Sequence, residues 1–568
     1  MGKIIRINMQ DKSVSLEEVK KEYKLLGGRA LTSRIVYDEV PADCDPLGEK
    51  NKLVIAPGLL GGTAVSSASR ISVGCKSPLT NGIKESNSGG LVATYLAREG
   101  IKAIIIEGQP EDDKMYVIEI EKEKVNIIPA DESLKNAGTY ETTERLFEKY
   151  GKDAAIMCIG PAGENKMRAA SIIVTDHNGE LKFCARGGTG AVMGSKGVKA
   201  IVVKNSKGSV TYFDREGFLN VARRVNKELM ADPKTGDAYK KYGTAQIVNA
   251  VNAIGALPTK NFRFGAFEHA ANLSGEKLYE RVQERKGEGK TGVPCMPGCV
   301  IQCGNIYPDK EGKRIVSNLQ YETIALVGSN LGFEDLDSVA KLNREINDLG
   351  LDTIEMGCVL GVAIDAGLAK FGDEESCLAL LNEIRKNSVI GRVLGNGVEI
   401  TGKVLGAKRI PEAKGQGIPG YDPRALKGNG VLYATSPMGA DHTAGNAFGA
   451  RNEVNPLGRE KQGDLSRNLQ IRMTTLDSLG FCIFARGPLF KDTSTLTDMI
   501  YYLTGEKLTI DQVWEIGINT LKIEREFNIK AGVSPYRDKL NEFFYSEALP
   551  PTEATFDVPE EEVEKAII

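Results

Sequence analysis

The chain has 568 residues, of which 41% are hydrophobic and 26% charged, a balance typical of a globular protein with roughly two to four domains. Lys and Arg total 73 against 76 Asp and Glu, so the charge pattern argues against nucleic acid or an anionic membrane as a partner. No apolar stretch is long enough to span a membrane, and the N-terminus lacks a signal-peptide pattern. We therefore expect a cytoplasmic protein whose ten cysteines are not paired as disulfides.

The first part of the chain reads as β-rich, and the rest as helical. Short apolar runs bounded by turn residues predict strands at KLVIAPG (52–58), AIIIEG (103–108), DAAIMCIG (153–160) and KAIVVK (199–204). Apolar residues at three and four spacing predict helices at 215–230 and 342–369. We predict an α+β fold: an N-terminal β-sandwich-like base domain over 1–208, then two mainly α-helical domains over 209–412 and 413–568.

The segment PCMPGCVIQCGN (294–305) places three cysteines, Cys295, Cys299 and Cys303, within nine residues. Three thiolates this close on a bent segment suit the corner irons of a cubane iron–sulfur cluster. The best fourth ligand is Cys482, which follows a glycine break in LDSLGFC (476–482). Cys358 and Cys377 lie in apolar helical pattern instead, so we predict that they belong to the core.

Other interpretations of the cysteine triplet stay open. A zinc site usually needs a second cysteine or histidine pair, which is missing nearby, and a radical-SAM cluster uses C-x3-C-x2-C, one residue shorter in the second gap. Coincidental burial of three thiols is the third alternative. The spacing favours a cluster.

A cluster moves single electrons, so organic redox chemistry needs a second, two-electron centre. The glycine-rich segment 187–197 does not give the dinucleotide-binding pattern after a strand. GVEITGKV (397–404) nearly forms a P-loop, but Val404 replaces the Ser or Thr that holds magnesium, so we interpret it as a false match. Backbone N–H groups of both segments remain able to cradle a phosphate.

Seven segments, in order along the chain, resemble the aldehyde:ferredoxin oxidoreductase family. They are SASRISVGCKSPLTNGIKESNSGG (67–90), CARGGTGAVMGSKGVKAIVV (184–203), the cysteine triplet, YETIALVGSNLG (321–332), NDLGLDTIEMG (347–357), ADHTAG (440–445) and LDSLGFC (476–482). The resemblance implies a tungsten or molybdenum ion held by two pterin dithiolenes beside one [4Fe–4S] cluster.

The resemblance also implies residue roles. Arg70, Asn87 and Gly89 would contact one pterin, and the carbonyl of Asn87 would help to hold a Mg²⁺ that bridges the two pterin phosphates. The phosphate site would be completed by Cys184, Ala185, Arg186, Gly187 and Gly188. The pterins would be bound from the other side by Asp352, Asp477, Gly480 and Phe481. The cluster would be held by Cys295, Cys299, Cys303 and Cys482.

Glu322 and His442 are the candidate catalytic pair that the resemblance implies for proton transfer near the metal. Glu322 lies in apolar sequence, where burial would raise the pKa of its carboxyl group. The alternatives are that Glu322 is a buried glutamate with a structural role and that His442 is a core histidine with its hydrogen bonds satisfied. His177 and His269, the other two histidines, are predicted to be surface or structural residues.

The implied reaction is aldehyde plus water giving a carboxylic acid, with electrons leaving through the cluster to ferredoxin or an iron–sulfur subunit. One alternative is the catalytic subunit of a larger complex that reduces carboxylates, thioesters or benzoyl-CoA, and another is a non-catalytic electron-transfer subunit. The chain departs from the family in two places. The first cysteine gap is one residue longer than is common, and no histidine lies between His269 and His442 for an E-x-x-H iron site, so any homodimer has to use other contacts.

Overall fold

The computed structural model describes residues 2–205 and 207–568, and its N-terminal part contains two six-stranded sheets. The strands are β1 Lys3–Asn8, β2 Ser13–Glu18, β3 Leu53–Pro57, β4 Ile71–Lys76, β5 Ile83–Ser88, β6 Ile101–Glu107, β7 Tyr116–Glu121, β8 Lys124–Pro129, β9 Ala155–Cys158, β10 Ile172–Thr175, β11 Leu181–Cys184 and β12 Val198–Val203. The first sheet has the order β2-β1-β6-β3-β4-β5, and the second has the order β11-β10-β9-β12-β7-β8. Both sheets are mixed, because β1 pairs with β6 and β7 with β12 in parallel, whereas the other pairs are antiparallel.

Five helices accompany these sheets: α1 Gly28–Glu39, α2 Val92–Arg98, α3 Thr139–Tyr150, α4 Pro161–Glu164 and α5 Thr189–Ser195. Strand β6 shows how they are layered. Ile104 and Ile106 face a core shared with the second sheet, whereas Ala103 and Ile105 face α1. Because alternate side chains of a strand point to opposite faces, a strand covered on both sides needs the continuous apolar run seen here.

The middle of the chain is mainly helical, with one small sheet. Its helices are α6 Arg215–Ala231, α7 Tyr239–Tyr242, α8 Val248–Ala253, α9 Gly275–Arg285, α10 Tyr321–Thr323, α11 Leu336–Leu349, α12 Thr353–Asp365, α13 Glu374–Arg385, α14 Val389–Gly395 and α15 Val398–Leu405. The antiparallel sheet consists of β13 Lys290–Val293, β14 Gly304–Pro308 and β15 Arg314–Ser317. The cysteine triplet therefore lies in the connection between β13 and β14.

The C-terminal part adds a two-stranded sheet and seven further helices. They are β16 Glu412–Ala413, β17 Gln416–Gly417, α16 Lys427–Thr435, α17 Gln462–Leu479, α18 Arg486–Lys491, α19 Ser494–Thr504, α20 Ile510–Lys530, α21 Phe543–Ser546 and α22 Glu560–Lys565. The predicted fold class is confirmed, since a mixed-sheet base with two facing sheets is followed by helical regions. The boundaries at 208/209 and 412/413 stay predictions.

Burial explains two further sequence predictions. Cys358 in α12 and Cys377 in α13 are both fully buried in the largest apolar core, as predicted. The P-loop-like segment forms α15 instead of a phosphate loop, and its first amide, Val398 N–H, donates to Glu355 Oε1 at 2.8 Å. Among residues 2–205 and 207–568, no helix combines the length and the apolar character that crossing a bilayer would require.

Candidate active site

Strand β5 connects most of the predicted site residues. Its sequence IKESNS is polar but nearly all buried, and its alternate side chains point to opposite faces. On one face, Lys84 Nζ lies 2.6 Å from Asp441 Oδ2, and Ser86 Oγ accepts from the backbone N–H of Arg186 at 3.2 Å. The other face carries Glu85 and Asn87. This alternation divides the site into two halves.

The face with Asn87 brings together residues that are far apart in the chain. Arg70 Nη2 donates to the Asn87 carbonyl at 3.0 Å, and Asn87 Nδ2 donates to Asp477 Oδ1 at 3.3 Å. Asp477 Oδ2 lies 3.8 Å from Nη1 of the fully buried Arg29. Two arginines, an amide and a carboxylate thus surround one polar region.

The charges in this region are not fully compensated by the protein. Burial and the neighbouring Glu85 carboxylate raise the pKa of Asp477, and burial also raises the pKa of Glu85 against the field of Arg29. Arg29 Nη1, Glu85 Oε1 and Asp477 Oδ2 lack a hydrogen-bond partner among the described residues. Because buried polar atoms are usually paired, these three atoms fit a ligand that offers both N–H donors and polar acceptors.

A backbone crossing places the cysteine and arginine segments side by side. Arg70 N–H donates to the Gly480 carbonyl at 3.1 Å, and Cys482 N–H donates to the Ser67 carbonyl at 2.7 Å. Gly480 has a φ of +91°, and a Cβ there would lie 2.9 Å from the Cα of Gly58. Only glycines allow the two chains to come this close. The side chain of Phe481, the next residue, is buried in an apolar cluster with Leu476.

The four predicted cluster cysteines lie in one group. A hydrogen bond with Cys295 lowers the pKa of Cys299 to about 6, although burial of the thiol acts to raise it. Ser67, whose hydroxyl lies 3.5 Å from Cys299 Sγ, also lowers this pKa. The pKa of Cys295 is raised by the same hydrogen bond, by burial and by the fields of the other thiols, including Cys303 and Cys482. The four sulfurs are therefore close enough to influence one another.

This cysteine group touches the Arg70 face directly. Gly90 N–H donates to the Cys295 carbonyl at 2.8 Å, and a Cβ on Gly89 would lie 2.9 Å from Cys295 Sγ. Burial lowers the pKa of Arg70, but the thiols of Cys482 and Cys295 and the carboxyl of Asp477 act against it, and the net shift is upward. Arg70 is thus close to both the thiols and the polar region.

In the described ranges, no set of three or more His, Cys, Asp or Glu side chains is arranged around a single metal ion. The four thiolates of a cubane bind four different irons, so their sulfurs need not converge on one point. The assignment of the four cysteines to a cluster stays a prediction.

The other half of the site is built on Arg186. Its Nε lies 3.0 Å from Asp352 Oδ2 and its Nη2 donates to the Gly417 carbonyl at 2.7 Å. Asp352 is also the N-cap of α12, accepting from the backbone N–H groups of Ile354 at 3.0 Å and Glu355 at 3.2 Å. The structure thus gives Asp352 a helix-capping contact, and it leaves the predicted pterin contact as a prediction.

The segment 184–188 follows strand β11 and turns sharply. Cys184 is fully buried in the core between the sheets, and burial raises the pKa of its thiol. Ala185 is partly exposed, and Gly187 and Gly188 have φ values of +80° and +76°. A Cβ on Gly187 would clash with the side chain of Lys84. The two glycines therefore let this segment pass close to β5.

Glu322 and His442 meet beside the half of the site that contains Arg186 and Asp441. Glu322 Oε1 lies 3.5 Å from His442 Nε2, and Glu322 Oε2 accepts from the backbone N–H of Gly420 at 2.7 Å. The buried side chains of Tyr421 and Tyr433 lie close enough for the Glu322 charge to act on them. Burial raises the pKa of Glu322, although His442 opposes the shift. A carboxyl group with a raised pKa holds and releases a proton at a higher pH than an ordinary glutamate does.

Sequence reasoning missed several buried ionisable residues of this site. They are Arg29, Lys84, Glu85, Glu355 and Asp441. Glu355 accepts from Val398 N–H and Gly417 N–H, and burial raises its pKa to about 7. The one available signal for such buried charges was the presence of charged residues in the polar sequence of β5, because a buried strand normally has an apolar sequence.

The whole chain resembles known redox enzymes. Residues 4–205 match the family model described as aldehyde ferredoxin oxidoreductase, N-terminal domain, and residues 220–567 match the model of domains 2 and 3. The tungsten-containing aldehyde ferredoxin oxidoreductase of Pyrococcus horikoshii is 34% identical, with 97% of this chain and 92% of the relative covered. That of Pyrococcus abyssi is 33% identical, with 94% and 90% covered.

Among solved structures, the active-site complex BamBC of benzoyl coenzyme A reductase with 1,5-dienoyl-CoA contains a chain of the same fold. Its TM-score is 0.79 at 20% identity, with 100% of this chain and 93% of that chain covered. Fold, site and relatives together define the protein as an oxidoreductase. The chain belongs to the aldehyde ferredoxin oxidoreductase family.

Proposed function

We propose that the protein oxidises aldehydes to carboxylic acids at a tungsten or molybdenum bis-pterin centre and passes the electrons through one [4Fe–4S] cluster to ferredoxin. The observation that supports this most strongly is the position of Arg70. It donates to Asn87, which contacts Asp477, and Gly89 and Gly90 just beyond Asn87 contact Cys295 of the thiol group. A two-electron centre at the polar region and a one-electron centre at the thiol group would be near neighbours.

The residues present fit the proposed cofactors. The side-chain atoms of Arg29, Glu85 and Asp477 that lack a hydrogen-bond partner suit the N–H and carbonyl edge of a pterin. The glycines at 187 and 188 suit close approach of backbone to phosphate, and Arg186 supplies the cation that a phosphate needs. When bound, the metal supplies Lewis acidity and accepts two electrons.

The protein's own contribution to the reaction is proton transfer and positioning. Aldehyde plus water gives carboxylic acid, two protons and two electrons, so a base is needed for the water. Glu322 Oε1 is the proposed base, and His442 Nε2, 3.5 Å away, is the proposed next holder of the proton. The Gly420 N–H fixes the second carboxylate oxygen, so that the first one is oriented toward His442.

Elemental analysis of the purified protein tests this proposal. We expect about four irons and one tungsten or molybdenum per chain, and aldehyde-dependent reduction of ferredoxin. Iron without tungsten, molybdenum or pterin would contradict the proposal and would favour a simple electron-transfer subunit. A metal-loaded protein that reduces a thioester, but does not oxidise aldehydes, would contradict the proposed reaction.

The cysteine assignment has a matched control. Cys482→Ala should lower the iron content and the visible cluster absorption, because it removes one of the four proposed ligands. Cys377→Ala, in the fully buried core of α13, should keep the iron and cost only about 1–2 kcal/mol of unfolding free energy. Equal iron in both variants would remove Cys482 from the ligand set.

A further inference from the structure

A buried ion pair lies in the hairpin formed by β10 and β11. Lys182 Nζ lies 3.1 Å from Asp176 Oδ2, and the two side chains are 8% and 0% exposed. The other carboxylate oxygen, Asp176 Oδ1, accepts from the backbone N–H groups of Asn178 at 2.8 Å and Glu180 at 2.9 Å. The turn therefore holds Asp176 in place independently of Lys182.

Residues beside both ends of the cysteine triplet connect it to the hairpin. Thr175, beside Asp176, accepts from Leu91 N–H at 3.0 Å, and the preceding Gly90 N–H donates to the Cys295 carbonyl at 2.8 Å. At the other end, Asn318 Nδ2 donates to the Leu181 carbonyl at 3.2 Å. A Cβ on Gly304, the residue after Cys303, would lie 2.9 Å from Asn318 Oδ1.

The Lys182 charge acts on one of the four proposed cluster cysteines. Burial raises the pKa of the Cys303 thiol, as do Cys482 and Cys299, whereas the Lys182 ammonium lowers it. A second pair, Glu180 with Arg314, lies at the solvent side of the hairpin, where Arg314 is 42% exposed. Because solvent screens an exposed charge, the buried pair acts more strongly on its surroundings.

We propose that the Lys182–Asp176 pair tunes the reduction potential of the iron–sulfur cluster assigned to the cysteine group. This inference rests on the proposed function. Reduction of the cluster adds one negative charge, which a nearby cation stabilises and a nearby carboxylate destabilises. Lys182 therefore raises the potential, and Asp176 limits the rise. The pair gains and loses no electron itself, and the cluster takes one electron from the catalytic centre and gives one to the acceptor.

Redox titration of the holoenzyme, followed by the electron paramagnetic resonance signal of the reduced cluster, tests the pair. Lys182→Gln leaves the Asp176 carboxylate uncompensated, so the midpoint potential should fall. The expected fall is ~59 mV, which for a one-electron couple corresponds to a tenfold lower ratio of reduced to oxidised cluster at a given potential. Asp176→Asn should shift the midpoint in the opposite direction. The double variant should return close to the wild-type value.

The matched control is Lys199→Gln in β12 of the same sheet. Lys199 is also a buried lysine paired with a carboxylate, that of Glu164, but unlike Lys182 it is not among the main charges that act on the four proposed cluster cysteines. Its midpoint should equal the wild-type midpoint. If Lys182→Gln and Asp176→Asn shift the midpoint in the same direction, or no further than Lys199→Gln does, the inference is wrong.

Cluster content separates this inference from the proposed function. Iron per chain is measured for every variant, and only variants with the wild-type content enter the comparison. If Lys182→Gln loses its cluster, Asp176→Asn alone decides, and a midpoint that does not rise overturns the inference. A wild-type protein without a cluster would instead overturn the proposed function.

Discussion

Glu322 joins two features that seldom occur together, a carboxylate in a mostly apolar shell and a histidine 3.5 Å away. Burial raises the pKa of the carboxyl group, and the histidine limits that shift. The family resemblance selected both residues, and their sequence surroundings agree with it, since YETIALVG places an acid among apolar residues and His442 lies in a glycine-rich segment; their catalytic role stays a prediction. The sequence did not indicate the Gly420 N–H that orients the carboxylate.

Glu322→Gln should lower kcat by about 10²–10⁴-fold while the iron and tungsten or molybdenum contents stay unchanged. The base works only when deprotonated, so wild-type activity should fall as the pH drops through the Glu322 pKa. Because that pKa is raised, the acidic limb should lie above the range of an ordinary glutamate. In Glu322→Gln this limb should disappear from the pH profile.

The control for this prediction is Glu322→Asp, which keeps the carboxylate but withdraws it by one methylene. It should retain a pH-dependent limb with a reduced rate. Full activity of Glu322→Gln, or an unchanged acidic limb, would show that Glu322 is not the base.

Arg29 is a buried charged residue that the local sequence pattern does not reveal. In the sequence nothing distinguishes it from a surface arginine. In the structure it is fully buried, and it reaches Glu524 and Asp477, both more than 440 positions away in the chain. Such contacts depend on how α1 packs against α17 and α20, which local pattern does not determine.

Among the elements, the apolar strands and helix α6 were predictable, whereas the helical segment predicted at 342–369 is α11 and α12 with a break at Gly350, and β5 was not predictable. The strands β3, β6, β9 and β12 coincide with the four predicted apolar runs. Strand β5 has polar residues that are buried because they bind one another across the site, not because they are hydrophobic. Periodicity of hydrophobic residues has no signal for such a strand.

The crossing of Gly58 and Gly480 is the element-level feature most sensitive to substitution. Gly480→Ala would place a Cβ 2.8 Å from the Ala68 carbonyl oxygen at a φ of +91°, so the loop that carries Cys482 has to move. We expect lower iron and pterin contents per chain, measured by elemental analysis and by fluorescence of the oxidised pterin.

Gly532→Ala is the matched control for this crossing. Gly532 also has a positive φ, +72°, but no atom lies within 4 Å of the added Cβ. It should show the backbone penalty alone, about 1 kcal/mol, with full cofactor content. Equal cofactor loss in both variants would attribute the effect to backbone strain instead of the close approach.

At the scale of the molecule, helix α1 of the sheet-rich base is held to α20 of the C-terminal part by one buried ion pair. Arg29 Nη2 lies 2.7 Å from Glu524 Oε2, both side chains are 0% exposed, and Ser33 Oγ donates to Glu524 Oε1 at 2.8 Å. A second pair, Lys24 with Glu506, joins the same two parts at 2.8 Å but is 56% and 46% exposed. The two pairs differ mainly in burial.

This difference predicts how each pair contributes to stability. Glu524→Gln removes the carboxylate nearest to the buried Arg29 charge and leaves it the more distant Asp477, 3.8 Å away, so it should cost about 3 kcal/mol of unfolding free energy, the lower end expected for a broken buried pair. Glu506→Gln should cost about 0–1 kcal/mol, because water and salt already screen an exposed pair. Chemical denaturation midpoints measure both.

The double variant Arg29→Met with Glu524→Leu removes both buried charges, so it should be more stable than Glu524→Gln alone. If the double variant were the less stable, the pair would contribute mainly through its packing and hydrogen bonds, and the base and C-terminal parts would not depend on charge compensation at this contact.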